Sequence, residues 1–155
     1  MNDGLYSVIA WLSTFFLFFF IVGIIFYCLK AIGLMTMAKK RGIENSWLSW
    51  IPIGNYYIVG KLIDTIDFGD KKIENAPMVL LLAGVGVLLL SFIPIIGAIV
   101  VIVFIVLYSV SLYKLYFLYK PGSEVLYLVL SIIFPNVAIG IIIFLLRNNE
   151  LSVQD

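Results

Sequence analysis

The acids of "DTIDFGDKKIEN", residues 64–75, form the densest group of chemically active side chains in the sequence. Asp64, Asp67 and Asp70, with Glu74 behind them, invite a calcium reading. A twelve-residue calcium loop, however, sets its ligands at alternate positions and closes on a glutamate at the last. The glutamate here comes too early, so the stretch reads as a solvated turn. Ser109 and Ser111 have no catalytic companion and are placed to bond backward to helix carbonyls. Cys28 is the sole cysteine, which excludes an internal disulfide, and the preceding Ile25-Phe26-Tyr27 is no lipidation signal. It reads as a buried structural thiol. The chain has no histidine, so the commonest general base and the commonest transition-metal ligand are both missing. No phosphate loop occurs, and no long apolar run holds a pair of aspartates. These residues predict neither an enzyme nor a cofactor or metal site.

The elements that would position any site are set by the solvent. Hydrophobic residues make up 63% of the 155 and charged residues only 12%, far from the balance of a water-soluble domain. In lipid, backbone polar groups must be satisfied within the protein, and long unbroken apolar runs select helices over alternating strands. Three runs carry no charge: 4–29, 75–113 and 125–146. Each reaches the roughly 20 residues that a hydrocarbon core of ~30 Å requires. The middle run is long enough to turn back on itself, at Ile93-Pro94-Ile95-Ile96-Gly97.

The expected fold is therefore all-α: a single membrane domain, 1–155, with four transmembrane helices at about 5–29, 77–92, 98–116 and 125–146. An interfacial or re-entrant helix at about 46–62 completes it. The start of the chain lacks the basic segment of a cleaved signal peptide, so the first helix is expected to be retained.

With four crossings, nine of the ten basic residues fall on one side, and the positive-inside rule makes that side cytoplasmic. Both termini are then expected outside a plasma membrane, with Arg147 the lone outer cation and Lys30 snorkelling at the inner boundary. Lys39, Lys40 and Arg41 are candidates for contact with anionic lipid headgroups. The net charge of +1 argues against nucleic acid as a partner.

Gly42 is placed to close the first helix, and Glu44-Asn45-Ser46 to cap the next. That next segment, "SWLSWIPIGNYYIVGK", is oily and aromatic yet broken by Pro52 and Asn55, and it is too short to cross comfortably. Trp47, Trp50, Pro52, Asn55, Tyr56 and Lys61 are candidate docking or groove residues, with Asn136 beside the mid-helix break at Pro135. Gly84, Gly86 and Gly140 are candidates for close helix contacts. The proline theme recurs at Trp50–Gly54, Phe92–Gly97 and Ile133–Asn136, the arrangement that duplicated transporters use to expose backbone at a binding site.

The run Trp47-Leu48-Ser49-Trp50-Ile51-Pro52-Ile53-Gly54-Asn55-Tyr56-Tyr57, followed by an IPIIG turn and a last helix ending "IFLLRNNE", resembles a group of small bacterial membrane proteins of unknown function. Those share a W-x-x-W-I-P-I-x-N-x-Y segment. More remotely, the size and layout are similar to the plastid inner-envelope translocon channel family. The resemblance implies a fold and a membrane address, and no activity.

Two functional classes remain. One is a non-catalytic accessory subunit that docks another membrane protein or a copy of itself. The other is a small transporter or channel subunit with a groove near the proline breaks. An immunity protein against a membrane-active peptide fits the size equally. A wet cavity reaching Asn55 or Asn136 favours transport, and a fully packed bundle favours the partner role.

Overall fold

A computed structural model describes residues 2–152; residue 1 and residues 153–155, the two ends of the expected domain, lie outside the described residues. The chain is helical almost throughout. In order, α1 spans Asn2–Lys40, a 3-10 helix Ser46–Trp50, α2 Gly54–Ile63, α3 Ala76–Leu90, α4 Pro94–Tyr119, α5 Glu124–Ile133 and α6 Pro135–Leu146. The sheet among the described residues is one hairpin, β1 Ile66–Phe68 against β2 Lys71–Ile73, with Asp67 opposite Lys72. Two helices, α1 and α4, are long and apolar enough to cross a membrane; α3, α5 and α6 are shorter apolar helices.

α1 runs unbroken for 39 residues, or about 58 Å at 1.5 Å per residue. It stops where the sequence predicts. Gly42 takes φ +69°, its N–H bonds to the carbonyl of Lys39, and Ile43 N–H reaches back to Ala38, a Schellman closure. The expected cap on the following helix is not formed, since Asn45 makes no side-chain capping bond.

The segment expected as one helix at about 46–62 is instead a hairpin. The 3-10 helix climbs back along α1 until the Trp50 carbonyl accepts a hydrogen bond from Tyr27 Oη at 2.6 Å. The chain turns through Ile51-Pro52-Ile53, where proline withholds a helical donor. α2 then descends to the end of α1, where Arg41 donates to the Leu62 carbonyl and pairs with Asp64 at 3.0 Å.

The single helix expected at about 125–146 is likewise not formed. Phe134 leaves helical geometry, with φ −127° and ψ 66°, and Pro135 opens a new helix from its first position. α5 leaves the end of α4, and α6 comes back to it. Asn149 Nδ2 donates to the Tyr119 carbonyl at 3.1 Å, Ser152 N–H to the Leu118 carbonyl at 2.9 Å, and Lys40 Nζ to the Asn148 carbonyl at 3.1 Å. Residues 148–152 therefore lie at the same end of the bundle as Lys40 and Lys120. This corrects the expectation that the C-terminal residues sit opposite the basic cluster.

The core is built at that basic end. Leu34, Met37 and Ala38 of α1 meet Ile58, Leu62 and Ile63 of α2, Leu115 and Tyr116 of α4, and Ile143 of α6, all buried. α6 packs along the second half of α1 closely enough that a Cβ on Gly140 would sit 2.5 Å from the Phe26 carbonyl oxygen. Gly84 faces the Tyr56 ring as tightly, whereas Gly86 has only ordinary contact, at 3.8 Å from Val100. Away from this end the helices diverge, and Phe15, Phe16, Phe18, Phe19 and Phe20 of α1 are all exposed.

Candidate functional site

The two hairpin tips meet a shared cleft. Pro52 and Asn55 line it from one side, Pro135 and Asn136 from the other, with α1 and α4 as its walls; its volume is about 440 Å³. Both breaks are thus held at one depth. The third proline of the recurring theme, Pro94, instead opens α4 at the far turn of the α3–α4 hairpin and does not line the cleft.

Lys30 is the cation of this site. Ten residues before Lys40, it lies about 15 Å up α1 from the basic end. Its side chain turns inward: Nζ donates to Asn55 Oδ1 at 3.3 Å and sits 5.4 Å from the ring centroids of both Tyr56 and Tyr108. Cation–ring attraction strengthens as water is excluded, so the two tyrosines and Asn55 replace part of the ammonium's hydration. The expected snorkelling of Lys30 to the boundary is therefore corrected. Holding it inward takes rigid aromatics: Tyr56 meets Tyr108 edge-on at 5.2 Å and Phe104 at 5.0 Å, and Phe104 stacks on Tyr108 at 5.7 Å.

Among the described residues no aspartate or glutamate lines the cleft. Its remaining polar groups are hydroxyls and amides. Ser131 shares a 2.8 Å hydrogen bond with Tyr116 Oη, and the Tyr108 hydroxyl is buried with no hydrogen-bond partner among the described residues. A buried hydroxyl without a partner is costly. Phe26, Phe104, Ile105, Leu128 and Ile132 supply apolar walls. The arrangement can bind and orient a molecule; it presents no nucleophile paired with a base.

Of the residues singled out from sequence, Pro52, Asn55, Tyr56 and Asn136 come together here. Trp47 is exposed, and the Trp50 indole lies away from the cleft, donating to Met35 Sδ at 3.3 Å. Lys61 lies over the Tyr57 ring at 5.7 Å and does not reach the cleft. The proposed lipid-contact cluster is largely committed to the fold, because Lys40 ties down Asn148 and Arg41 ties down α2. Lys39 is exposed. Lys30, Tyr27 and Tyr108 are polar cleft residues that sequence reasoning missed.

At the basic end, Lys114 Nζ pairs with Asp67 Oδ2 at 2.8 Å and donates to Thr65 Oγ1 at 2.6 Å, anchoring the β-hairpin to α4. The hydrogen bond from Lys114 holds the Asp67 carboxyl below the usual carboxylate range. Asp64 and Asp67 thus serve structural ion pairs. Among the described residues no group of three acidic, cysteine or histidine side chains is arranged to hold a metal ion. Comparison with known proteins gives no match: no family model, no curated protein and no solved structure matches the chain.

Proposed function

We propose that this is an integral membrane protein that binds a ligand at mid-depth, as a small transport subunit. The observation that carries the reading is the cleft where two broken helices and an inward lysine meet. Transporters place binding sites where discontinuous helices interrupt the apolar layer, because interrupted backbone is tolerated there only within protein or along a cavity. A charged side chain at that depth is costly in lipid and is retained where it works.

The same reading sets the topology. α1, α3 and α4 cross, and the Ser46–Ile63 and Glu124–Leu146 hairpins dip in from the basic side and return. Three crossings leave the start of α1 outside and residues 148–152 inside. Arg147, the outer exception under four crossings, then joins the other cytoplasmic cations, which the positive-inside rule favours. Large apolar side chains exposed along α1, α3, α4 and α5 face hydrocarbon in this arrangement.

The test is water access to the cleft. In a Cys28→Ser background, Asn136→Cys should react with a water-soluble, membrane-impermeant maleimide in sealed vesicles. An unreactive cysteine in a well-folded protein would mean a dry, packed bundle and would sink the transport reading.

A second reading, an accessory or self-associating subunit, is favoured by the outer half of α1. Residues 5–20 are all exposed, which suits a helix that packs against a neighbouring subunit.

A further inference from the structure

Resting on the cleft reading above, we infer that the ligand is an anionic single-chain amphiphile, with a carboxylate or phosphate head at Lys30 and its hydrocarbon tail between α1 and α4. The charge balance argues for the head. Lys30 brings a cationic side chain into the cleft, its hydrogen-bond acceptor there is the neutral Asn55, and among the described residues no acid lines the cleft. An ammonium has three donors, so positions around Nζ remain for an anion's oxygens. The Tyr56 and Tyr108 rings flank Nζ at 5.4 Å without accepting a conventional hydrogen bond. The 12-residue α6 begins at the cleft with Pro135 and Asn136, so a helix N-terminus, whose partial charge is positive, lies beside it.

The tail is argued from what flanks this polar floor. α1 and α4 share no extended packing among the described residues, and between them the cleft is walled by Phe26, Phe104 and Ile105, all apolar. A small hydrophilic anion would leave those walls bare, and a neutral lipid would leave Lys30 uncompensated. An amphiphile with one charge and one chain answers both.

Protection of Asn136→Cys tests this in the full-length Cys28→Ser protein in a neutral detergent, at about pH 8 where a carboxylate is ionised. Hexadecanoate should slow maleimide modification saturably, while hexadecanol and acetate, the chain and the head alone, should not. Lys30→Met should weaken protection about tenfold or more, as expected for loss of a charged hydrogen-bonding partner, and Lys30→Arg should retain it. If Lys30→Met does not fold, Asn55→Asp, which closes the charge within the protein, should raise the half-protecting concentration. Equal protection by hexadecanol, or by hexadecanoate in Lys30→Met, overturns the anionic head, and protection by acetate overturns the tail. A reactive cysteine that hexadecanoate does not protect overturns the amphiphile and leaves the wet cleft standing. A cysteine that never reacts overturns both.

Discussion

Lys30 Nζ lies 3.3 Å from Asn55 Oδ1, joining the last third of the first long helix to the tip of the hairpin that follows it. This contact fixes the depth at which the chain turns at Pro52. It also decides the polarity of the cleft, because Asn55 compensates the ammonium without neutralising it. A carboxylate at the same position would close the charge within the protein.

Asn55→Leu should therefore destabilise the protein by about 2 kcal/mol, since a charged donor loses its partner in a half-buried setting. Asn55→Asp should hold or raise the melting temperature in detergent while removing the attraction for an anion. Equal melting of the leucine variant and the parent would show that the hairpin tip is held by packing alone.

Close approach of α6 to α1 makes a second, steric prediction. A Cβ at Gly140 would lie 2.5 Å from the backbone oxygen of Phe26, and backbone cannot swing aside as a side chain can. Gly140→Ala should cost about 1–3 kcal/mol, the usual range for overpacking. Gly86→Ala, with only a 3.8 Å contact to Val100, is the internal control and should melt with the parent. Matching losses at both positions would point to helix flexibility as the cause.

Much of the framework was legible from local chemistry. Gly42 closes α1, Pro94 starts α4, and Ser111 Oγ bonds back to the Leu107 carbonyl at 2.7 Å, each fixed by one residue's own geometry. The breaks at Pro52 and Pro135 were also readable. Whether a broken helix continues or turns back was not, because proline removes a donor in either case and the outcome depends on distant partners such as Tyr27 and Tyr119. The length of 125–146 fits a single crossing as well as a hairpin of two short helices. Lys30 was misplaced for a related reason: it ends a charge-free run, where snorkelling is the default. The apolar residues that follow it, Leu34 and Met37, were the available signal that the buried part of α1 continues past Lys30. In 64–75, Ile66, Phe68 and Ile73 form strands where a turn was expected.

The Asp67–Lys114 pair predicts a pH response at the basic end. Asp67 titrates below its ordinary 3.8 in the folded protein, held down first by the Lys114 hydrogen bond. A depressed carboxyl stabilises the fold above its unfolded pKa, and that contribution is lost as pH falls through the folded value. Stability should be level near neutrality and begin to fall at about pH 4 and below. Asp67→Asn should lower the neutral melting temperature slightly and flatten this acid limb. An unchanged limb would assign the acid sensitivity to other carboxyls.

Topology gives the last and most decisive prediction. Lys40 Nζ reaches the Asn148 carbonyl at 3.1 Å, and Ser152 N–H reaches the Leu118 carbonyl at 2.9 Å, so the residues after α6 share an end with the basic cluster. In a Cys28→Ser background, cysteines at Asp70 and Glu150 should be labelled from the same face of sealed vesicles, and a cysteine at Ser91 from the opposite face. Four crossings would instead place Glu150 with Ser91. That pattern would require α5 and α6 to straighten into one helix and to break the bonds that hold Asn149 and Ser152 to the end of α4. It would also move Pro135 and Asn136 away from Pro52 and dissolve the cleft. The three labels thus read the membrane topology and the existence of the binding site together.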